Sequence, residues 1–294
     1  MTPAPKEKVL STESTTPEIP WMLAGWISLL LAVCYLAVIR GLINDWIIDE
    51  NVGHGFFVPL VAGYVTWQKR DELASVKASP NWFGLVIVVG AALQLYVATL
   101  GVEFFLARTA LVFSIIGTIL FLGGTQVLRV VAFPVFLLFF MIPIPAILYN
   151  QITLPLQFLA SEVAEIALSL MGIPVLREGN ILELPSQKLN VVEACSGIRS
   201  LLSLSFLALV YGYFFESRTW IRVLIFLSTV PIAIGANAAR VTITGLLSEI
   251  DPDLAQGAFH LAEGWVVFVV ALALMVLFHT VVVKAAGLAG SGTG

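Results

Sequence analysis

The run Val191-Val192-Glu193-Ala194-Cys195-Ser196-Gly197-Ile198-Arg199-Ser200 marks the change of pattern that decides the fold. Before it, residues 174–193 read as β structure: Val175-Leu176-Arg177, a Glu178-Gly179-Asn180 turn, Ile181-Leu182-Glu183-Leu184, a Pro185-Ser186 turn, then Lys188 to Val192. After it, an apolar helix continues to Phe215, long enough to cross a bilayer. Strands cannot face lipid, because their backbone groups would go unpaired. The hairpin therefore belongs in water or on top of the helices, and the run lies at a membrane surface.

The rest of the chain agrees. Of 294 residues, 59% are hydrophobic and only 12% charged, and mean hydropathy is +0.97. Soluble domains carry about one quarter charged residues. The expected class is an all-α polytopic membrane protein with about eight transmembrane helices, a small extracytoplasmic β-hairpin and an interfacial amphipathic helix. A net charge of −4 leaves no nucleic-acid footprint. The two cysteines cannot build a disulfide framework. No pattern for a metal or cofactor is found, and none is expected.

In order, residues 1–20 read as a disordered cytoplasmic tail rather than a signal peptide. A single membrane domain follows over 21–285, and 286–294 reads as a flexible tail. Spans are expected at Trp21–Ile39, Phe56–Trp67, Trp82–Leu100, Glu103–Leu122, Val127–Ile142, Ser196–Phe215, Trp220–Ala236 and Trp265–Val283. Gly123-Gly124 separates the fourth and fifth. Residues 146–172 are apolar but broken by Gln151, Glu162 and Glu165, which suggests a helix lying in the interface. With the N-terminus inside, Lys69, Arg70, Lys77, Arg129, Arg218, Arg222 and Lys284 all fall on the cytoplasmic side. Both termini are then cytoplasmic. The regions 143–195 and 240–260 fall outside, so topology alone brings Cys195, Arg240 and His260 to one side of the membrane.

These three residue types suit acyl transfer. Only a thiolate is nucleophilic, and the start of a helix favours it through its orphan N–H groups. The amides of Ser196 and Gly197 are candidate oxyanion donors, and Glu193 flanks the thiol. Arg240, following Asn237, is costly at the edge of hydrocarbon and so implies a task, such as steadying an oxyanion. His260 suits a general base and acid, with Glu263 as its orienter. His54, in Gly53-His54-Gly55-Phe56, is a candidate for substrate contact or packing. Cys34, in mid-span, and His279, at the opposite end of its helix, read as structural. Glu103 and Arg108 either neutralise each other or line the bundle interior, two readings that the residues leave open.

The blocks Glu-Ala-Cys-Ser-Gly-Ile-Arg-Ser at 193–200, Asn-Ala-Ala-Arg-Val at 237–241 and Phe-His…Gly-Trp across 259–265 resemble the signature blocks of the exosortase/archaeosortase family. The resemblance extends to Asn51–Phe56, Phe139–Leu148 and Gly172–Asn180. It implies a cysteine protease or transpeptidase of the cytoplasmic membrane, with its site facing the periplasm or outside. Cys195 matches the nucleophile, Arg240 the arginine and His260 the third position, where histidine fits the bacterial branch. The implied partners are proteins carrying a C-terminal sorting tail: a Pro-Glu-Pro-like motif, a transmembrane helix and a basic end. The acceptor would be water, or an amine on a polysaccharide or lipid. The competing readings are a transporter, weakened by the lack of an internal repeat, and an acyl-transfer enzyme using the same Cys/His pair.

Overall fold

A computed structural model describes residues 21–49, 51–191, 198–251 and 257–291, with backbone alone at residue 21 and over 257–263 and 288–291. Residues 1–20, including the expected tail, lie outside it. The chain divides into two compact units: residues 1–43 with 57–139, and residues 44–56 with 140–294.

The first unit starts with α1 (Trp21–Cys34) and α2 (Leu36–Ile48, of which residues 44–48 belong to the second unit), bent by 67° where one straight span was expected. At the bend, Tyr35 is buried and its hydroxyl hydrogen bonds Ser114 Oγ at 2.7 Å, which spares a phenol in hydrocarbon. Next come α3 (Phe57–Gln68), α4 (Arg70–Ser75), α5 (Phe83–Leu100), α6 (Phe104–Val130) and α7 (Ala132–Leu137). The α5–α6 hairpin packs backbone to backbone. An ideal Cβ on Gly117 would sit 2.8 Å from Gly84 O, an approach that only small residues allow. Gly124 breaks α6 with φ 81° and ψ −173°, and the loop before α5 docks there, Ser79 donating its N–H to Gly123 O at 3.1 Å.

The expected fifth span does not form as one helix. Residues 127–142 comprise the end of α6, α7 and a 310 helix over Leu138–Met141. Pro134 has no N–H to give and crowds the carbonyl four residues back, at Val130, where α6 stops.

The second unit holds α8 (Ala146–Leu170), a three-stranded antiparallel sheet, α9 (Ile198–Phe215), α10 (Thr219–Ile250) and α11 (Gly257–Ser291). The last helix runs into the 286–294 stretch expected as a tail. Leu204 and Ala208 of α9, Ile221 and Ile225 of α10, and Ala271 and Met275 of α11 form one buried cluster. Strands β1 (Leu176–Glu178), β2 (Ile181–Glu183) and β3 (Lys188–Asn190) lie where the sequence places them. The β1–β2 turn has Gly179 at φ 68°, the left-handed first position that a two-residue hairpin requires.

Six helices are long and apolar enough to cross a membrane, and a seventh span arises if α1 and α2 count as one. This approximates the expected eight. Helix α3, with 12 residues, extends only about 18 Å against a hydrocarbon core of roughly 30 Å. Helix α8, expected in the interface, is among the six. It runs alongside α10 in the same direction: Leu168 lies against Gly245, and Leu156 shares a cleft with Val230 to Asn237. Over α11 only 11% of the most apolar window is buried in protein, which suits a helix facing lipid.

Candidate active site

The sheet fixes the approach to the cysteine-bearing run. Its alternation turns Leu182 and Leu189, directly paired across β2 and β3, onto one face. These join Leu184 and Val191 in a cluster with Ala160, Ala164 and Leu168 of α8 and Ala238 and Val241 of α10. The far turn is tied down as well: Ser186 donates its N–H and its hydroxyl to Glu249 Oε1 of α10, at 3.0 and 2.6 Å. Arg177 of β1 donates to Glu165 of α8 at 2.7 Å, so that carboxylate is engaged in holding the sheet. Val191 and Ile198, both fully buried, are the described ends on either side of residues 192–197. Glu193, Cys195, Ser196 and Gly197 lie outside the described residues.

Arg240 lies on α10, one residue before Val241, which shares the buried cluster with Val191. Its guanidinium packs against α11. An ideal Cβ on Gly264 would meet Nη2 at 3.2 Å, Cζ at 3.3 Å and Nη1 at 3.5 Å. Position 260 precedes Gly264 by four residues on this helix, and residues so spaced share a face. The described backbone therefore puts the His260 position one turn from the contact with Arg240. The side chains of His260 and Glu263 lie outside the description.

Asn237, one turn before Arg240, is 7% exposed, and its Nδ2 has no hydrogen-bond partner among the described residues. It faces a shallow cleft between α8, α9 and α10 that is otherwise apolar.

His54 sits in a 310 helix over Gly53–Phe56. With its proton on Nε2, the ring donates to Phe140 O at 3.2 Å, and its centroid is 6.4 Å from that of Phe206 on α9. Burial pushes its pKa below the usual histidine value, partly offset by that hydrogen bond. The same segment is anchored by Trp46, which donates Nε1–H to Met141 O at 2.9 Å. Gly55 underlies the indole so closely that a Cβ there would overlap it.

Of two further expectations, one changes and one stands. The Glu103 carboxylate accepts from Leu106 N at 2.6 Å and caps α6, so it is not spent on Arg108. His279 is a structural residue: Tyr211 donates its hydroxyl to Nδ1 at 2.9 Å, and Nε2–H donates to Glu216 at 3.3 Å. Gly264 and Gln157 drew no role from the sequence. The signal for Gly264 was its place one turn after His260, on the helix that faces Arg240.

The family model for transmembrane exosortases matches residues 46–277. The chain belongs to the transmembrane exosortase family. Comparison with curated proteins and with solved structures finds no match. Exosortase membership supports, in general terms, an integral membrane protease or transpeptidase that acts in protein sorting on tail-bearing substrates.

Proposed function

We propose that this exosortase cleaves or transfers the C-terminal sorting tail of exported proteins at the outer face of the cytoplasmic membrane. The Cys195 thiolate attacks the scissile carbonyl. Arg240 steadies the oxyanion that forms, together with backbone amides of Ser196 and Gly197. Collapse of the tetrahedral intermediate breaks the C–N bond, and the leaving amine takes a proton from His260. The resulting thioester is resolved by water or by an amine acceptor, with His260 removing the proton of the incoming nucleophile. Glu193, Asn237, Glu263 and His54 support the site.

The observation that carries this reading is the packing of Arg240 against Gly264, one helical turn from His260. It couples two blocks that are far apart in sequence. The cluster joining Val191 to Ala238 and Val241 supports the third member, because it brings the chain leading to Cys195 onto the same stretch of α10. The orientation rests on charge. If α8 takes the fifth crossing in place of residues 127–142, eight crossings are kept with α3 counted, and the cations named above stay cytoplasmic.

The test is to trap the acyl-enzyme. Purified protein incubated with a tail-bearing substrate should give a covalent adduct on Cys195, seen as a mass shift of a Cys195-containing peptide. Cys195→Ala should abolish both adduct and processing. Unchanged processing by that variant overturns the reading.

A further inference from the structure

Asn237 holds an amide donor with no hydrogen-bond partner among the described residues. Its Nδ2 is buried in a cleft whose other lining residues are Leu156, Leu201, Val230, Ala233 and Ile234. Buried among apolar side chains, such a donor is costly unless something brings it an acceptor. A second group of the opposite kind lies on α8, next in the chain to a residue that lines the cleft. Gln157 follows the cleft-lining Leu156 on α8, is 4% exposed, and its Oε1 accepts no hydrogen bond from the described residues. One unused donor and one unused acceptor are what a peptide backbone crossing that level needs, since each peptide unit offers one carbonyl and one N–H. A lipid chain would offer neither.

The position along the helices says which part of a substrate this is. Asn237 lies three residues before Arg240 on α10, a rise of about 4.5 Å. Leu201 lies in the first turn of α9, just after the run that carries Cys195. The cleft therefore opens on the membrane side of the proposed site. A substrate entering laterally would place there the residues directly following its scissile bond, where an extended segment enters a transmembrane helix. That junction is short of partners. The first turn of any helix has orphan N–H groups, and the extended residues before it have unpaired carbonyls.

We infer that Asn237 and Gln157 form a subsite that reads the substrate backbone at the junction between the cleaved motif and its transmembrane helix, with Asn237 donating to a carbonyl and Gln157 accepting from an N–H. The inference rests on the reading of the tail as substrate. It assigns part of the specificity to main-chain geometry, so the subsite selects tails that unwind just after the motif and tolerates varied side chains there.

The experiment uses the full chain in nanodiscs with a tail-bearing substrate protein. Asn237→Leu keeps volume and removes the donor, and Asn237→Ala removes it without adding an ionisable group. Both should raise KM about tenfold, the loss of one buried hydrogen bond, while kcat changes less than threefold. Gln157→Leu should behave alike. The rate of Cys195 alkylation by a small thiol reagent should stay at its wild-type value, separating a subsite from general damage to the fold. Independently, a photo-crosslinking residue at Leu201 in a Cys195→Ala background should capture the substrate tail at residues just after the motif. Wild-type KM in all three variants overturns the subsite, as does a crosslink to lipid alone in the presence of substrate. If processing continues in Cys195→Ala, the functional reading itself fails, an outcome these variants cannot mimic.

Discussion

The Arg240 guanidinium closes over Gly264, tight against the place where a side chain would begin. Alanine there would put its Cβ 3.2 Å from Nη2, so the guanidinium would have to move by a few tenths of an ångström. In a helix interior the same change is favourable by about 1 kcal/mol. Gly264→Ala should therefore lower tail processing about tenfold, while its thermal unfolding temperature in detergent equals or exceeds that of the wild type. Gly264→Val should be inactive. Wild-type processing by Gly264→Val would show that the position of this arginine does not matter.

Arg240 itself separates charge from geometry. A guanidinium offers a planar fork of donors, whereas an ammonium is a point charge on a flexible stem. If Arg240 donates to a developing oxyanion, Arg240→Ala should lower kcat by about 100-fold or more, on the scale of losing an oxyanion donor. Arg240→Lys should recover only a minor part. Single-turnover measurement of thioester formation checks this without interference from the acceptor step. Full activity in Arg240→Lys would reduce the role to simple charge.

The Glu216 cluster predicts a pH dependence of stability. Glu216 lies in the loop between α9 and α10. Its carboxylate accepts from Arg218 N at 2.8 Å, and this bond, with help from His279, holds its pKa below the usual carboxylate value against the opposing effect of burial. A depressed native pKa means the charged form is bound more tightly in the folded state. The stabilisation is complete above the unfolded pKa, about 4.3, and is lost as pH falls through the lower native value. Glu216→Gln should thus melt below the wild type at pH 7, and the gap should close toward pH 3. A gap independent of pH would assign the effect to shape alone.

The sequence showed the membrane class, the β-hairpin and its turn, because these depend on local signals: apolar length, alternation, and a glycine where φ must be positive. It also named Arg240 from its cost at the edge of hydrocarbon, with Asn237 as the polar residue before it. It misjudged places where packing overrides pattern. Residues 127–142 are apolar enough to span, yet Pro134 cuts them, and proline inside an apolar run leaves the hydropathy untouched. Helix α8 looked amphipathic because of Gln151, Glu162 and Glu165. Its partners supply the missing account, with Glu165 paired to Arg177 and Ala160, Ala164 and Leu168 packed under the sheet. Gly264 drew no role because a glycine that makes room for a partner across a helix pair is marked only by its place, here one turn after His260.

Gly124 offers the sharpest test of the first unit. Its φ of 81° and ψ of −173° fall in a region that residues with a side chain essentially avoid, at about 1–3 kcal/mol. A Cβ there would also overlap the carbonyl oxygen of Ser79, in the loop whose N–H is bound one residue earlier at Gly123. Gly172 has a comparable φ of 84° but open space around its Cβ position. Gly172→Ala should therefore cost only backbone strain, about 1–2 kcal/mol. Gly124→Ala adds a steric clash with backbone that cannot swing aside, and should cost about 3 kcal/mol or more, by prying the loop before α5 from the break in α6. Thermal unfolding of the two variants side by side measures the difference. Equal melting temperatures would show that the Ser79 contact contributes nothing to holding α5 and α6 together.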